Sequence, residues 1–216
     1  MREVVRQRWR FQLIVHYELP PQLYRAFDEL RFAEAFLDGH LRLMERYYYR
    51  ALELREHADP TEGEARLTVT GVNATPVNYS GELFNPVYVL CMSRTEVEWA
   101  HLTRTRPYVV LVEDTRKFFE AIELELARYR DPDSREVFRL DSGCVSYDKG
   151  ERVDPTPSHP ERERLTYLQK PASFLPDCES RIAVVMSGSL KAACTSFHLS
   201  IGSIRTFATR FVPSVA

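Results

Sequence analysis

Apolar residues recur along the chain in two rhythms. Short continuous or alternating runs predict strands: WRFQLIVHY (9–17), LYRAF (23–27, read as a short strand or turn-in), LTVTGV (67–72), VYVLCMS (87–93), RPYVVLVED (106–114), VFRLDSGCVSY (137–147), RIAVVM (181–186) and FHLSIGSI (197–204). The 3.6-residue rhythm appears twice. In residues 28–37 Leu30, Ala33, Phe36 and Leu37 share a face, with Asp28 as N-cap and Gly39 as the stop. In RKFFEAIELELARY Phe118, Ile122, Leu126 and Tyr129 form one stripe, capped by Asp114 or Thr115. The segment 40–53 fits either element, and its type stays open.

Polar, Pro- and Gly-punctuated stretches divide these runs. Residues 55–66 read as a loop, and NATPVNYSGELFNP (73–86) as a long loop leading into the apolar run at 87. Residues 149–164, KGERVDPTPSHPERER, read as an exposed loop. About seven strands and two or three helices without strict alternation predict an α+β fold. It would be a single domain over 1–216 with a mixed or mostly antiparallel sheet.

Composition narrows the classes of function. The 216 residues carry 29 basic and 31 acidic side chains, a net charge of −2, so no global field draws the protein to nucleic acid or a membrane. The basic complement is nonetheless 25 Arg to 4 Lys. Arg2, Arg6, Arg8 and Arg10 fall on one side of an extended segment, with Trp9 and Phe11 on the other, a local basic strand able to track phosphates. Four cysteines lie 53, 34 and 16 positions apart, which excludes close-paired zinc or redox motifs and fits buried thiols in a reducing compartment. No apolar run spans a bilayer, and the N-terminus is too polar for a signal segment, so a cytoplasmic protein without membrane contact is expected.

Phosphate loops, dinucleotide turns, metalloprotease helices and nucleophile elbows are missing from the sequence. The candidate chemistry is therefore a set of polar residues at strand ends. Tyr24-Arg25 stands at the first such end, where an Arg offers a fork of donors to a phosphate. In ADPTEGE, Asp59, Glu62 and Glu64 crowd a turn and offer hard oxygen ligands to a divalent cation, the basis of a metal-dependent nuclease alternative. Ser93 closes the VYVLCMS run. Asp177 and Glu179 share a side of an extended segment ahead of a strongly apolar strand, with Arg181 at the same parity as the ion-pair partner of a purely structural arrangement.

Taken in order, Leu23-Tyr24-Arg25, Ser93 and Asp177-Cys178-Glu179 resemble the Arg, Ser and Glu strand motifs of ADP-ribosyltransferases. Cys91-Met92-Ser93 stands where many members have Ser-Thr-Ser, and Asp177 replaces their Glu or Gln. The layout of LYRAF, the Asp59-Pro60 turn, VSYDKG and QKPASFLPDCESRIAVV is also similar to a broad, largely uncharacterised bacterial family with an Asp-Pro-x-Glu turn and a late Glu-x-Arg strand. That family's Trp-x-His segment is matched loosely by Trp99 and His101.

The transferase resemblance implies an NAD-dependent enzyme, a toxin or phage-defence effector, with Glu179 stabilising the oxocarbenium-like centre. Arg25, Tyr24 and Ser93 would hold NAD, Tyr48 would stack on nicotinamide, and a protein or nucleic acid would be the acceptor. It requires Arg25, Ser93 and Glu179 to converge on one cleft. A subunit of a larger defence or toxin system, binding nucleic acid or protein through Arg2, Arg6, Arg8 and Arg10 without catalysis, is the alternative from another class.

Overall fold

The computed structural model describes residues 13–46, 64–69, 77–82, 85–94, 106–129, 137–149, 153–154, 159–186 and 195–211. Its strands are β1 (Ile14–His16), β2 (Leu23–Phe27), β3 (His40–Glu45), β4 (Glu64–Val69), β5 (Val77–Glu82), β6 (Val87–Ser93), β7 (Tyr108–Val112), β8 (Val137–Cys144), β9 (Val153–Asp154), β10 (Glu179–Met186), β11 (Ser196–Ser200) and β12 (Ala208–Phe211). Its helices are α1 (Leu30–Leu37), α2 (Thr115–Arg128) and α3 (His159–Leu168), with a 3₁₀ turn at Ala172–Asp177. The fold is α+β, with a mostly antiparallel sheet into which β1 pairs in parallel with β8. No helix among the described residues is long and apolar enough to cross a membrane.

The main sheet runs β1-β8-β10-β6-β2-β7-β12 and forks at β6. One edge of β6 pairs with β10 from Val87 to Ser93. The other edge is shared: Val89 and Tyr88 face Met44 and Glu45 of β3, which leads to β11, while Ser93 faces Tyr24 of β2. Cys91 lies between these two partners, and its carbonyl accepts a hydrogen bond from Arg25 Nη1 at 2.6 Å. A side-chain donor thus meets a backbone acceptor where the sheet divides.

Alternation along the strands sends one side-chain set to each face. Leu23, Leu90, Met92, Val110, Val112, Ile182, Val184 and Met186 line the face covered by α1 and α2, where Phe36, Phe118, Phe119 and Ile122 are buried. Phe36 sits 5.5 Å from Phe27 and 5.6 Å from Phe118, ring centre to ring centre. Each such side chain contributes about 1.5–3 kcal/mol through burial. Against the opposite face, Tyr167 and Leu168 of α3 cover Val87, Val89, Ala183 and Val185.

Helix α2 matches its sequence stripe, and Asp114 is its cap, accepting from the Lys117 N–H at 3.0 Å. Helix α1 starts one residue later than the pattern suggests, with Glu29 rather than Asp28 at the N-cap and no side-chain cap bond. The open segment at 40 is strand β3.

Three sequence expectations need correction. Residues 77–82, placed in a loop, form β5, which pairs with β4 from Glu64 to Val69 in a small second sheet completed by β9. The run 149–164, placed in a loop, contains β9 and the first turns of α3. Residues 64–66, the end of the stretch 55–66 placed in a loop, open strand β4. In each case tertiary pairing overrides weak local patterning.

The turn between α1 and β3 is zipped to the loop after β11. Ile201 N–H donates to Gly39 O at 3.0 Å and Ile204 N–H to Leu37 O at 2.9 Å. Gly39 has φ +86°, and a Cβ there would lie 1.8 Å from Gly202 O, whereas Gly202, at φ +76°, has open space around its Cβ position. Gly39→Ala therefore combines left-handed strain with overpacking and is expected to cost about 2–4 kcal/mol, against about 1–2 kcal/mol for Gly202→Ala. Urea unfolding of the two variants measures the difference, and equal losses would refute the close approach.

Candidate functional site

The sheet face under α3 changes character from row to row. Val87 and Val185 share a row with Arg139, and Val89 and Ala183 share one with Asp141. Farther along, Cys91 adjoins Arg181 and Gly143, and the last row reads Tyr24, Ser93, Glu179 across β2, β6 and β10. Because residues paired across a sheet share a face, those three side chains stand side by side on neighbouring strands.

Glu179 is the centre of the last row. Its Oε1 takes Arg181 Nε at 2.7 Å and its Oε2 takes Lys170 Nζ at 2.7 Å. Glu179, Arg181 and Lys170 are 5, 1 and 7% exposed, so this is an interior ion triad. Burial by itself would push the Glu179 carboxyl up, but Arg181 and Lys170 overcome it and hold the group well below the usual carboxylate range. Arg181 Nη1 also donates to Tyr167 O at 2.9 Å, and Lys170 Nζ reaches Asp177 Oδ2 at 3.4 Å. The Glu179 N–H donates to the Tyr147 hydroxyl at 2.6 Å. Burial, followed by the charge of Glu179, pushes the Cys91 thiol up to about 12, so it stays protonated and is no nucleophile at neutral pH.

A second network joins α3 to β8. Asp141, fully buried, takes Arg164 Nε at 3.0 Å and the Tyr167 hydroxyl at 2.6 Å on Oδ2. Arg164 Nη2 extends to Glu18 Oε2 at 2.8 Å, and Arg139 Nη1 meets Glu163 at 2.7 Å. Helix α3 presents charge because the face it covers is charged.

The site residues read from the sequence separate into three groups. Tyr24, Ser93, Glu179 and Arg181 stand on β2, β6 and β10, with Asp177 nearby through Lys170. Asp177 ends the 3₁₀ turn and Cys178 is left-handed, so the extended Asp177–Glu179 pair expected from the sequence is corrected. Arg25 does not join them: it has the parity of Leu23 and Phe27, and its guanidinium lies 5.5 Å from the Phe27 ring and 5.8 Å from the Phe36 ring on the α1 side. The expected convergence of Arg25 with Ser93 and Glu179 is therefore corrected, since a one-residue step along a strand reverses the face. Glu64 starts β4 and is tied to Arg66 at 2.7 Å. Tyr48, Asp59, Glu62, Trp99, His101, Arg2, Arg6, Arg8 and Arg10 lie outside the described residues. Among the described residues no group of three His, Cys, Asp or Glu side chains is placed to hold a metal ion.

Sequence reasoning missed Lys170, Tyr147, Arg94, Asp141 and Tyr167. Lys170 is one of only four lysines and directly precedes Pro171 in a stretch otherwise poor in charge, which was the available signal. Asp141 interrupts an apolar strand and was equally visible.

Comparison with protein-family models, with curated proteins and with solved structures finds no match. These comparisons show no resemblance to ADP-ribosyltransferases or to another family.

Because the Glu179 carboxyl is held below its unfolded value, the triad contributes stability above about pH 4–5 that is lost as pH falls. Lys170→Met leaves one Glu179 oxygen without its cation and is expected to cost about 3 kcal/mol at pH 7. The gap between wild type and variant should narrow as pH falls below about 4–5, where Glu179 of the variant, having lost a cation, takes up a proton while the wild-type carboxyl stays ionised. Urea midpoints between pH 7 and 3 measure this, and a pH-independent gap would assign the loss to packing.

Proposed function

We propose that the chain is an NAD-dependent ADP-ribosyltransferase-like enzyme, with Glu179 as its catalytic carboxylate and Tyr24 and Ser93 beside it in the NAD site. One observation carries the reading: the three motif strands are immediate neighbours in the order β10-β6-β2, with Glu179, Ser93 and Tyr24 in one register row. Arg25 lies on the other face, so the convergence of Arg25, Ser93 and Glu179 that this reading requires is not met, which weighs toward the non-catalytic reading; Tyr24 is the first-strand residue that remains in the row.

The chemistry follows from charge development. The bond between nicotinamide and ribose C1′ breaks with its electron pair leaving on nicotinamide, and positive charge grows on the ribose. A nucleophile from a protein, a nucleic acid or water then bonds to C1′ and gives up a proton. An ionised carboxylate in a water-poor setting stabilises that charge without reorganising. The two cations that hold Glu179 ionised also offset its charge, which opposes this role unless substrate displaces one of them.

Those same cations engage both Glu179 oxygens. That engagement favours a second reading, a nucleic-acid- or protein-binding subunit without catalysis. Its contact surface would be the basic segment of Arg2, Arg6, Arg8 and Arg10, which leads in sequence toward β1 at the end of the sheet.

Release of nicotinamide from NAD by the purified chain tests the enzyme reading. Glu179→Gln, shown by its melting curve to be folded, is expected to lower turnover by about 10²-fold or more, the scale for loss of one preorganised electrostatic group. Undiminished turnover would remove Glu179 from the mechanism. No turnover by the wild type, together with salt-dependent oligonucleotide binding lost on Arg2, Arg6, Arg8 and Arg10→Ala, would select the binding reading.

A further inference from the structure

The backbone reaches Glu179 through a conformation that side chains disfavour. Cys178 has φ +40° and ψ +45°, left-handed and the only positive φ outside glycine among the described residues. For a residue with a Cβ this costs free energy, and it persists only where surrounding contacts hold it. The chain arrives there from the 3₁₀ turn Ala172–Asp177, whose last bond is Cys178 N–H to Leu175 O at 3.2 Å. It must reverse within one residue to enter β10 at Glu179.

The contacts that hold this reversal come from the end of β6. The Arg94 backbone N–H donates to Cys178 O at 3.0 Å, and its side-chain Nε donates to the same oxygen at 3.2 Å. Ser93 Oγ donates to Asp177 O at 3.4 Å. Ser93, the last residue of β6, and Arg94, which follows it, thus grip two consecutive carbonyls at the mouth of β10.

We propose that Arg94 is a positioning residue for Glu179. Its two donors pin the Cys178 carbonyl, the left-handed turn is held against its own strain, and the Glu179 backbone enters the row beside Ser93 at one fixed angle. The catalytic part of this assignment rests on the NAD reading above, whereas the clamp stands on the hydrogen bonds and the backbone angle. A glycine at 178 would take the left-handed conformation at no steric cost and make the clamp dispensable.

Nicotinamide release is measured for the wild type, Arg94→Met, Cys178→Gly and the double variant, and urea midpoints are recorded on the same proteins. Arg94→Met is expected to lower kcat about 10- to 100-fold, the scale of a small misplacement of a catalytic group, with KM within about twofold. Cys178→Gly in that background is expected to recover most of the loss. Unchanged kcat in Arg94→Met, a rise in KM alone, or failure of the glycine to rescue would each overturn the positioning role. Absence of NAD turnover in the wild type overturns the proposed function and any catalytic use of the clamp. The clamp itself is read from stability: Arg94→Met should lower the midpoint more in the wild type than in Cys178→Gly, and equal losses in both backgrounds overturn it.

Discussion

Moving the Glu179 carboxylate out of water costs several kcal/mol unless cations meet it, and the architecture around β10 is built on meeting it. Arg181, two residues along the same strand, takes one oxygen, and Lys170 takes the other. Each cation is committed elsewhere as well. Arg181 fastens the end of α3 through Tyr167 O, and Lys170 holds its own backbone against Ser146, donating N–H to O at 2.8 Å. One buried charge thereby ties β10, the exit of β8, the end of α3 and the 3₁₀ turn into a single constraint. Removing any one partner strands a charge, which is why the group resists piecemeal change.

That constraint explains the asymmetry of the sheet. The face toward α1 and α2 is held by apolar packing, which is non-directional and accepts volume-conserving change. The face toward α3 is a mosaic in which Tyr167 and Leu168 fill an apolar strip while Arg164 and Glu163 meet Asp141 and Arg139. Ion pairs contribute little net stability once desolvation is counted, but they are directional. A helix lying on such a mosaic has one register in which every charge is answered.

The same asymmetry decides what the sequence discloses. Strands β6, β7 and β10 and helix α2 bury apolar sets at periods of 2 or 3.6, and their residues announce them. HPERERLTYL has no apolar stripe, because half of what it covers is charged, so α3 reads as loop until Asp141 and Arg139 are seen beneath it. VNYSGE has no strand signal of its own and depends on β4 for pairing. The site was legible in part: Glu179, Arg181, Asp177 and Ser93 share a neighbourhood that their strand-end positions suggested. Lys170 was visible only as a rare lysine before a proline; that it meets a buried carboxylate at 2.7 Å is disclosed by the fold alone. Face was the other lost quantity, because parity within the two-residue unit Tyr24-Arg25 depends on which side of β2 meets the core.

Arg25 shows what that parity accomplishes. A forked sheet leaves an acceptor at the branch, and an unanswered buried carbonyl costs about 1–3 kcal/mol. An apolar side chain at position 25 would fill the space beside Phe27 and Phe36 but could not donate to Cys91 O. A guanidinium does both, lying close to two aromatic rings while offering an N–H to the carbonyl. At this fork β3 pairs with β6 through Tyr88 and Val89 and β2 pairs with it through Ser93, which sets Tyr24 level with Ser93 and Glu179. The arginine that the motif order suggests as a ligand contact thus lies on the far side of the sheet, answering the carbonyl at the branch.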